Sequence, residues 1–259
     1  MTRPLLRPKL PVPSRGPEHP LAGVLKFAKA QQAYLRATLR DLRCRVVKRE
    51  RIDGKLQPFY HTHLELREEV RRSGQVVRPF AVYLEFFKPA SAEGRRVLYI
   101  EGQNDNRMLA RKGGKRFSYV VVRIDPFGEE ARRESLVPIN EISFSRMFDR
   151  IIDALERHRK VDPAGTNTRF QRFVKAKVNG RSCTVLRVTH PRQQEGLTFH
   201  IANVYLDDEY RLPIRIDAYL WPAEPDQPPP VSFEYTYVNV ELNPGLTDAH
   251  FDEARVRED

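Results

Sequence analysis

Three dipeptides that favour tight turns constrain the fold of this 259-residue chain more than any other feature. Asp53-Gly54, Ser73-Gly74 and Asn179-Gly180 each separate runs that are rich in β-branched and aromatic residues. Asn-Gly and Asp-Gly favour the two-residue turns of β-hairpins, because both central residues of a type I′ turn adopt positive φ. Such a turn joins antiparallel strands. The sequence therefore predicts antiparallel meanders, with roughly eight to ten strands in all.

Two stretches predict helices instead of strands. From Leu21 to Arg43 the apolar residues recur at spacings of three and four. A second stripe of this kind runs from Asn140 to Arg159, where Asn140 or Ser143 can cap the helix. One helix thus precedes the strands and the other interrupts them. This order predicts an α+β fold with a single antiparallel sheet.

Several strands between residues 80 and 124 are apolar on both faces. In the first of them Val82 and Leu84 alternate with Ala81 and Tyr83. An antiparallel sheet with one face in water would alternate apolar with polar residues. We therefore expect the second face to be covered by the helices, by a partner or by an apolar ligand.

The last strand, within residues 231–242, changes its apolar phase near Tyr237. A β-bulge at that point would produce the change and would bend the strand. Strongly curved sheets require such bends. The sequence therefore favours a strongly curved sheet.

The domain organisation follows from composition. Residues 1–20 contain six prolines and predict an extended arm. No repeat or glycine-rich linker divides the strands, so we expect one domain over residues 21–251, followed by a charged tail at 252–259. No apolar run approaches the roughly 18 residues of a membrane-spanning helix. The first residues also lack the apolar core of a signal peptide, which predicts a cytoplasmic protein if the chain starts at Met1.

Charge is distributed unevenly along the chain, whose formal net charge is +11. Residues 1–200 carry 41 basic and 21 acidic side chains, whereas residues 201–259 carry 4 basic and 13 acidic ones. A basic excess of this size invites binding to nucleic acid or to an anionic membrane, but a solvated, arginine-rich surface is the favoured interpretation. The acidic segment is expected to supply the last strands of the same sheet, which weakens the case for nucleic acid and leaves an anionic membrane surface as a candidate partner.

The two cysteines, Cys44 and Cys183, are too few for a disulfide framework and too far apart in sequence for a metal motif. We expect two buried free thiols. One long-range disulfide is the alternative, and it would indicate an oxidising compartment.

Polar clusters offer weak signals for chemistry. His61 and His63 lie two apart on a predicted strand, so both would face one side, where His200 or Glu65 could complete a metal site. A polar strand face is the favoured interpretation. We therefore predict no metal and no cofactor.

Catalytic motifs are absent from the sequence: it contains no nucleophile elbow, phosphate-binding loop or zinc-protease motif. Asp207-Asp208-Glu209 could form a calcium or acid/base site, but an acidic turn is favoured. A hydrolase that uses His190, His200 or Asp207 is kept as a third hypothesis. We predict no catalytic residue.

An aromatic and basic surface of the kind that binds single-stranded nucleic acid is a further possibility on neighbouring strands. Core packing is favoured, because the interleaved glycines and polar residues of such platforms are missing. The residues concerned are Tyr83, Phe86, Phe87, Tyr99 and Tyr119, beside Arg78, Arg95 and Arg123.

Six separated strings resemble a bacterial family, the domain of unknown function 1571, over about residues 40–251. The strings are VKRERIDGKL (47–56), RPFAVYLEFFKP (78–89), VLYIEGQND (97–105), NGRSCTVLRVTHP (179–191), FHIANVYLDDEYRLPIRIDAYLWP (199–222) and EYTYVNVELNPGLTDAHF (234–251). More distantly, the order helix, meander, helix, meander is similar to the LolA-like superfamily of periplasmic lipoprotein carriers and lipoprotein-binding sensors.

The LolA-like resemblance implies an incomplete antiparallel barrel with two helices on its concave side, located in the cell envelope. It implies a non-enzymatic carrier whose partner is an apolar ligand or a lipidated protein. The ligand would contact Tyr83, Phe87, Tyr99 and Tyr119. A basic module for polyanions, either anionic headgroups or nucleic acid, is the alternative function.

Overall fold

The structure, a computed structural model, describes residues 7–257 except 14, 15, 17 and 114–119. It divides into two compact units. The first comprises Met1–Thr38 and Phe144–Tyr235, and the second comprises Leu39–Ser143 and Thr236–Asp259. The expected arm at 1–20 and tail at 252–259 lie partly outside the described residues, and the assignment of 21–251 to one domain stays a prediction.

The fold is α+β, with antiparallel strands and few helices, as predicted. The helices are α1 (Ala22–Thr38), α2 (Glu129–Arg132), α3 (Phe144–Val161) and α4 (Ala254–Arg257). The strands are β1 (Asp41–Ile52), β2 (Lys55–Leu56), β3 (Tyr60–Arg67), β4 (Val70–Arg72), β5 (Gln75–Arg78), β6 (Ala81–Lys88), β7 (Arg96–Ile100), β8 (Met108–Arg111), β9 (Val121–Ile124), β10 (Arg169–Val178), β11 (Arg181–Thr189), β12 (Ile201–Asp207), β13 (Pro213–Tyr219) and β14 (Val231–Leu242). None of the helices within the described ranges is long and apolar enough to cross a membrane.

All three predicted hairpin turns are confirmed. Asp53 and Gly54 have φ of 48° and 76°, Ser73 and Gly74 have 50° and 80°, and Asn179 and Gly180 have 47° and 82°. Positive φ at both positions is the signature of the type I′ turn. The turns join β1 to β2, β4 to β5 and β10 to β11.

Both predicted helices exist with different limits. The first ends at Thr38, and the chain enters β1 at Asp41, so the prediction as far as Arg43 was wrong. Leu42 continued the helical spacing by coincidence, since it begins the buried two-residue alternation of β1. The second helix begins at Phe144, after a 3₁₀ turn at Ile139–Glu141. Short β8 was missed entirely.

In the first unit, α1 packs against α3. The rings of Phe27 and Phe148 meet edge to face at 6.4 Å, and Arg36 forms a two-pronged ion pair with Asp149 at 2.7 and 2.9 Å. The sheet of this unit has the antiparallel order β10, β11, β12, β13 and then the first part of β14. Strand β10 is an edge and carries a bulge at Lys175, whose φ is 65°.

The sheet of the second unit begins with the last part of β14 and continues β1, β3, β6, β7, β8, β9, each strand antiparallel to the next from β1 onward. The hairpin of β4 and β5 is a separate small sheet. The irregularity predicted near Tyr237 in β14 lies two residues later, where Asn239 has φ of 54°.

Cys44 and Cys183 are free and buried, as the favoured interpretation expected. Burial raises the pKa of both thiols, that of Cys183 to about 11. Neither thiol is therefore a reactive thiolate at neutral pH.

A chain of hydrogen bonds through two buried histidines links α3 to residues that flank β10, β11 and β12. The Thr198 backbone N–H donates to His158 Nε2 at 3.3 Å, so His158 Nδ1 carries the proton that it donates to His190 Nε2 at 2.9 Å. His190 Nδ1 then donates to the Asn167 carbonyl at 3.2 Å. Both imidazoles are fully buried. Every ring nitrogen has a partner while both rings are neutral. A proton added at His158 Nε2 would displace the Thr198 backbone N–H, and Thr198 Oγ1 at 3.1 Å is the acceptor left for it.

We predict that stability falls as the pH drops from 6.5 towards 4. Burial, reinforced by His190 and Arg157, lowers the pKa of His158 to about 4. Between pH 6.5 and 4 the unfolded chain therefore protonates this imidazole, whereas the folded chain leaves it neutral. This difference lowers the free energy of unfolding by up to about 3 kcal/mol. Urea denaturation at several pH values measures the loss. His158→Gln should flatten the decline between pH 6.5 and 4. Equal slopes for wild type and His158→Gln would contradict the assignment.

Candidate ligand-binding face

One face of the sheet in the second unit is continuously apolar. Strand register places six apolar side chains in one row that crosses six strands. They are Cys44, Leu64, Leu84, Val97, Ala110 and Val122. A parallel row contains Leu42, Leu66, Val82 and Tyr99. With strands about 4.8 Å apart, the longer row spans ~24 Å. We call this surface the apolar face.

Burial differs along the apolar face. Leu64, Leu66 and Val82 are completely buried. Towards β9, four apolar side chains are only half-buried, and they are Leu84, Met108, Val122 and Ile124. The β6–β9 part of the face is therefore less completely buried than the part on β1 and β3, although Val97 and Ala110 are buried there too.

The segment of residues 125–143 is attached beside the apolar face by a buried carboxylate. Glu50 accepts hydrogen bonds from Lys48 Nζ at 2.8 Å and from the Leu136 backbone N–H at 3.0 Å. Lys48 Nζ also donates to Ser135 Oγ at 2.7 Å. The 3₁₀ turn of this segment contacts β6, where its Ile139 is buried. A segment of short helices and loops, rather than a strand, thus borders the apolar face within this unit.

The opposite face of the same sheet is charged. Its central row contains Arg45, His63, Glu85, Arg96 and Arg111, which are paired in register from β1 to β8. We call this surface the charged face. The two faces thus give the sheet opposite chemical character over the same strands.

A small apolar patch at one end of the charged face is covered by residues 246–257, the closing segment. Leu246, Phe251 and Val256 of this segment pack against Tyr83 and its neighbours on β6, β7 and β8. The second apolar surface of these strands is therefore covered by the chain itself. In the sequence Phe251 and Val256 are apolar residues among charged ones. This pattern was the signal that could have predicted that the closing segment packs against the sheet.

Ion pairs and cation–π contacts hold the closing segment. Arg67, although buried, pairs with Asp248 and lies 4.9 Å from the ring centre of Phe251. Arg255 donates to Glu65 Oε2 at 2.6 Å, and its guanidinium lies 4.0 Å from the ring centre of Tyr83. Burial alone would raise the pKa of Glu65, but hydrogen bonds from His63, Arg255 and Arg43 outweigh it and bring the value to about 2.

The predicted ligand contacts are divided between the two faces. Tyr83 lies under the closing segment, and Phe87 is exposed on the charged face with Arg45 5.7 Å from its ring centre. Tyr99 is on the apolar face, where it is buried and 6.4 Å from the ring of Phe80. Tyr119 lies outside the described residues. The alternation of β6 and β7 thus separates Tyr83 from Tyr99, and the role of each in ligand binding stays a prediction.

The polar candidates have structural partners. His61 and His63 share the charged face, as expected, but Glu65 is engaged by Arg43 and Arg255. Within the described ranges, no three His, Cys, Asp or Glu side chains are arranged to hold a metal ion. His200, in the first unit, pairs through Nδ1 with the His190 carbonyl at 2.9 Å.

The acidic stretch at 207–209 forms a turn, as the favoured interpretation expected. The Asp207 side chain accepts the backbone N–H groups of Glu209 at 2.9 Å and Tyr210 at 2.8 Å, and it pairs with Arg181. Asp207 is almost fully buried. These hydrogen bonds and the ion pair explain why a carboxylate occupies this turn.

The family can now be assigned. A family model described as a protein of unknown function, DUF1571, matches residues 39–257. The chain belongs to this family. Comparison of the DUF1571 protein with curated proteins gives no match.

The DUF1571 protein is similar to several solved structures. A putative outer membrane lipoprotein-sorting protein domain from Vibrio parahaemolyticus is 13% identical, with a TM-score of 0.42, covering 90% of this chain and 97% of that one. The lipoprotein LppX from Mycobacterium tuberculosis is 12% identical, with a TM-score of 0.44 and coverage of 89% and 100%. A protein of the DUF1329 family from Desulfovibrio piger is 15% identical, with a TM-score of 0.40 and coverage of 92% and 100%.

We predict that Glu65→Gln lowers the free energy of unfolding near neutral pH, and that this difference from wild type disappears in acid. The pKa of this carboxyl is about 2 in the folded protein against 4.5 ordinarily. Its contribution is therefore fully present above pH 4.5 and is lost as the pH falls towards 2, by about 3 kcal/mol. Denaturant titrations of wild type and Glu65→Gln between pH 6 and ~2.5 should converge as the acid increases. A difference that stays constant over this range would contradict the prediction.

Proposed function

We propose that this DUF1571 protein is a non-enzymatic binding protein or carrier, and that the β6–β9 part of its apolar face takes an acyl chain of a lipid or lipoprotein. The observation that supports this most is the unbroken apolar row across six strands, which ends in half-buried side chains. An acyl chain has the required shape and chemistry, because it is long, narrow and without hydrogen-bonding groups.

The energetics of such binding are favourable. Each methylene removed from water contributes about 0.8 kcal/mol. Micromolar affinity corresponds to about 8 kcal/mol, so roughly ten buried methylenes would suffice before ordering costs. The β6–β9 part of the row spans three strand spacings, or ~14 Å, which is about the extended length of such a stretch of acyl chain.

Tyr99 is retained as a proposed ligand contact because it belongs to the apolar face beside the half-buried side chains. Tyr119 precedes β9 in the sequence, and its contact with ligand stays a prediction. An envelope location and a lipidated protein as partner are proposed on the resemblance to LolA-like carriers alone.

A hydrolytic function receives less support from the contacts. His190 is fully buried, and its ring nitrogens are engaged with His158 and the Asn167 carbonyl. Asp207 is engaged by Arg181 and by its own turn. These groups have structural partners that would compete with a substrate.

Adjacent residues of β9 provide a matched pair for testing the site. Val122 lies on the apolar face, whereas Val121 packs beside the closing segment, and both are half-buried. We predict that Val122→Asn weakens binding of cis-parinaric acid, a fluorescent fatty acid, by about tenfold, because a buried valine contributes about 1.5 kcal/mol. Fluorescence titration measures the affinity.

Val121→Asn is the control and should bind the fatty acid like wild type. Thermal unfolding of both variants checks that the replacements cost similar stability. Binding that is absent in wild type, or equally weakened by both replacements, would count against the site. Native mass spectrometry of freshly purified wild type should also show co-purified lipid that is reduced in Val122→Asn.

A further inference from the structure

The charged face carries two exposed phenylalanines at the end opposite the closing segment. Phe59 and Phe87 are each 42% exposed. The guanidinium of Arg49 lies 4.4 Å from the ring centre of Phe59, and that of Arg45 lies 5.7 Å from the ring centre of Phe87. Exposing large apolar rings to water is unfavourable, and here each ring lies beneath a guanidinium group. The arrangement therefore favours a binding partner that takes up apolar rings and cations together.

A break in strand register brings an aromatic ring and a basic side chain together in this patch. Between β3 and β6 the pairing shifts, so that Thr62 faces Phe86 and His61 faces Lys88. The extra residue at this bulge is Phe87, which therefore joins Lys88 on the charged face. The bulge thus places a ring and an ammonium group side by side.

The patch has a positive local field. Lys88 and Arg45 are exposed. Burial and these two charges lower the pKa of His61. Carboxylates on the same face are already paired: Glu85 with Arg96, Glu65 with Arg255 and Glu241 with Arg43.

We propose that this patch, formed by Arg45, Arg49, Phe59, Phe87 and Lys88, docks the protein on an anionic lipid bilayer. The rings would enter the interface while the basic groups reach the lipid phosphates, as amphipathic side chains do at membrane surfaces. Each basic side chain near an anionic surface strengthens attachment, and the effect is screened by salt.

A bilayer fits this patch better than a nucleic acid does. Single-stranded nucleic acids stack their bases on the faces of aromatic rings. Here the guanidinium groups of Arg49 and Arg45 already lie over the rings of Phe59 and Phe87. Stacking would have to displace them, whereas insertion of the ring edges into a bilayer leaves both cation–π contacts in place.

The test is co-sedimentation with phosphatidylcholine vesicles, with or without phosphatidylglycerol as about a third of the lipid. We expect binding to the anionic vesicles that falls with salt, and little binding to the neutral ones. Arg45→Gln with Arg49→Gln should weaken binding about thirtyfold. Phe59→Ser with Phe87→Ser should weaken it at least tenfold.

Matched controls lie in the first unit. Phe173 is 40% exposed and also lies beneath an arginine, Arg187, so Phe173→Ser removes an equivalent ring elsewhere. Arg157→Gln with Arg159→Gln removes two exposed charges from α3. Both controls should bind anionic vesicles like wild type. Circular dichroism checks that every variant is folded.

Three outcomes would overturn the proposal. These are no binding to anionic vesicles, equal losses in the patch and control variants, or a single-stranded oligonucleotide that binds more tightly than vesicles and is lost with the same patch residues. The arginine variants should keep the affinity of wild type for cis-parinaric acid. A failure of fatty-acid binding with intact vesicle binding would remove the proposed function and leave this docking surface standing.

Discussion

Successive side chains of a strand point to opposite faces, and the second unit depends on this constraint more than on any single contact. If the pairing of β3 with β6 shifted by one residue, Leu64 and Leu66 would turn to the charged face, and Glu65 and Arg67 would turn to the apolar face. Burial of leucines on one side and ion pairs on the other therefore select the same register. That register produces both the apolar face and the charged face.

Buried charges in this unit connect irregular segments to the sheet. Glu50 holds residues 125–143, and Glu65 with Arg67 holds the closing segment. Removal of one partner from such a pair leaves a buried charge unsatisfied, which is more costly than the pair is stabilising. The segments are thus fixed in place by specific partners as well as by apolar packing, and the two proposed binding surfaces stay separate.

Local patterns were sufficient for much of the fold. The three turns follow from the positive φ that Asn, Asp, Ser and Gly accept there, and the two long helices follow from their apolar spacing. The patterns were insufficient at element ends, where Leu42 satisfied both a helical and a strand spacing. They also missed β8, whose four residues are too few to show a period.

The sequence by itself determined that the strands are antiparallel, that the second face of β6 and β7 needs a cover, and that charge is uneven. Only the tertiary structure decided what the cover is, because Phe251 and Val256 reach Tyr83 across about 170 residues of chain and no local pattern encodes such a contact. It also separated Tyr83 from Tyr99, since the face of a side chain depends on register between strands. The bulge that brings Phe87 beside Lys88 is likewise a property of pairing, which arises only when the strands meet.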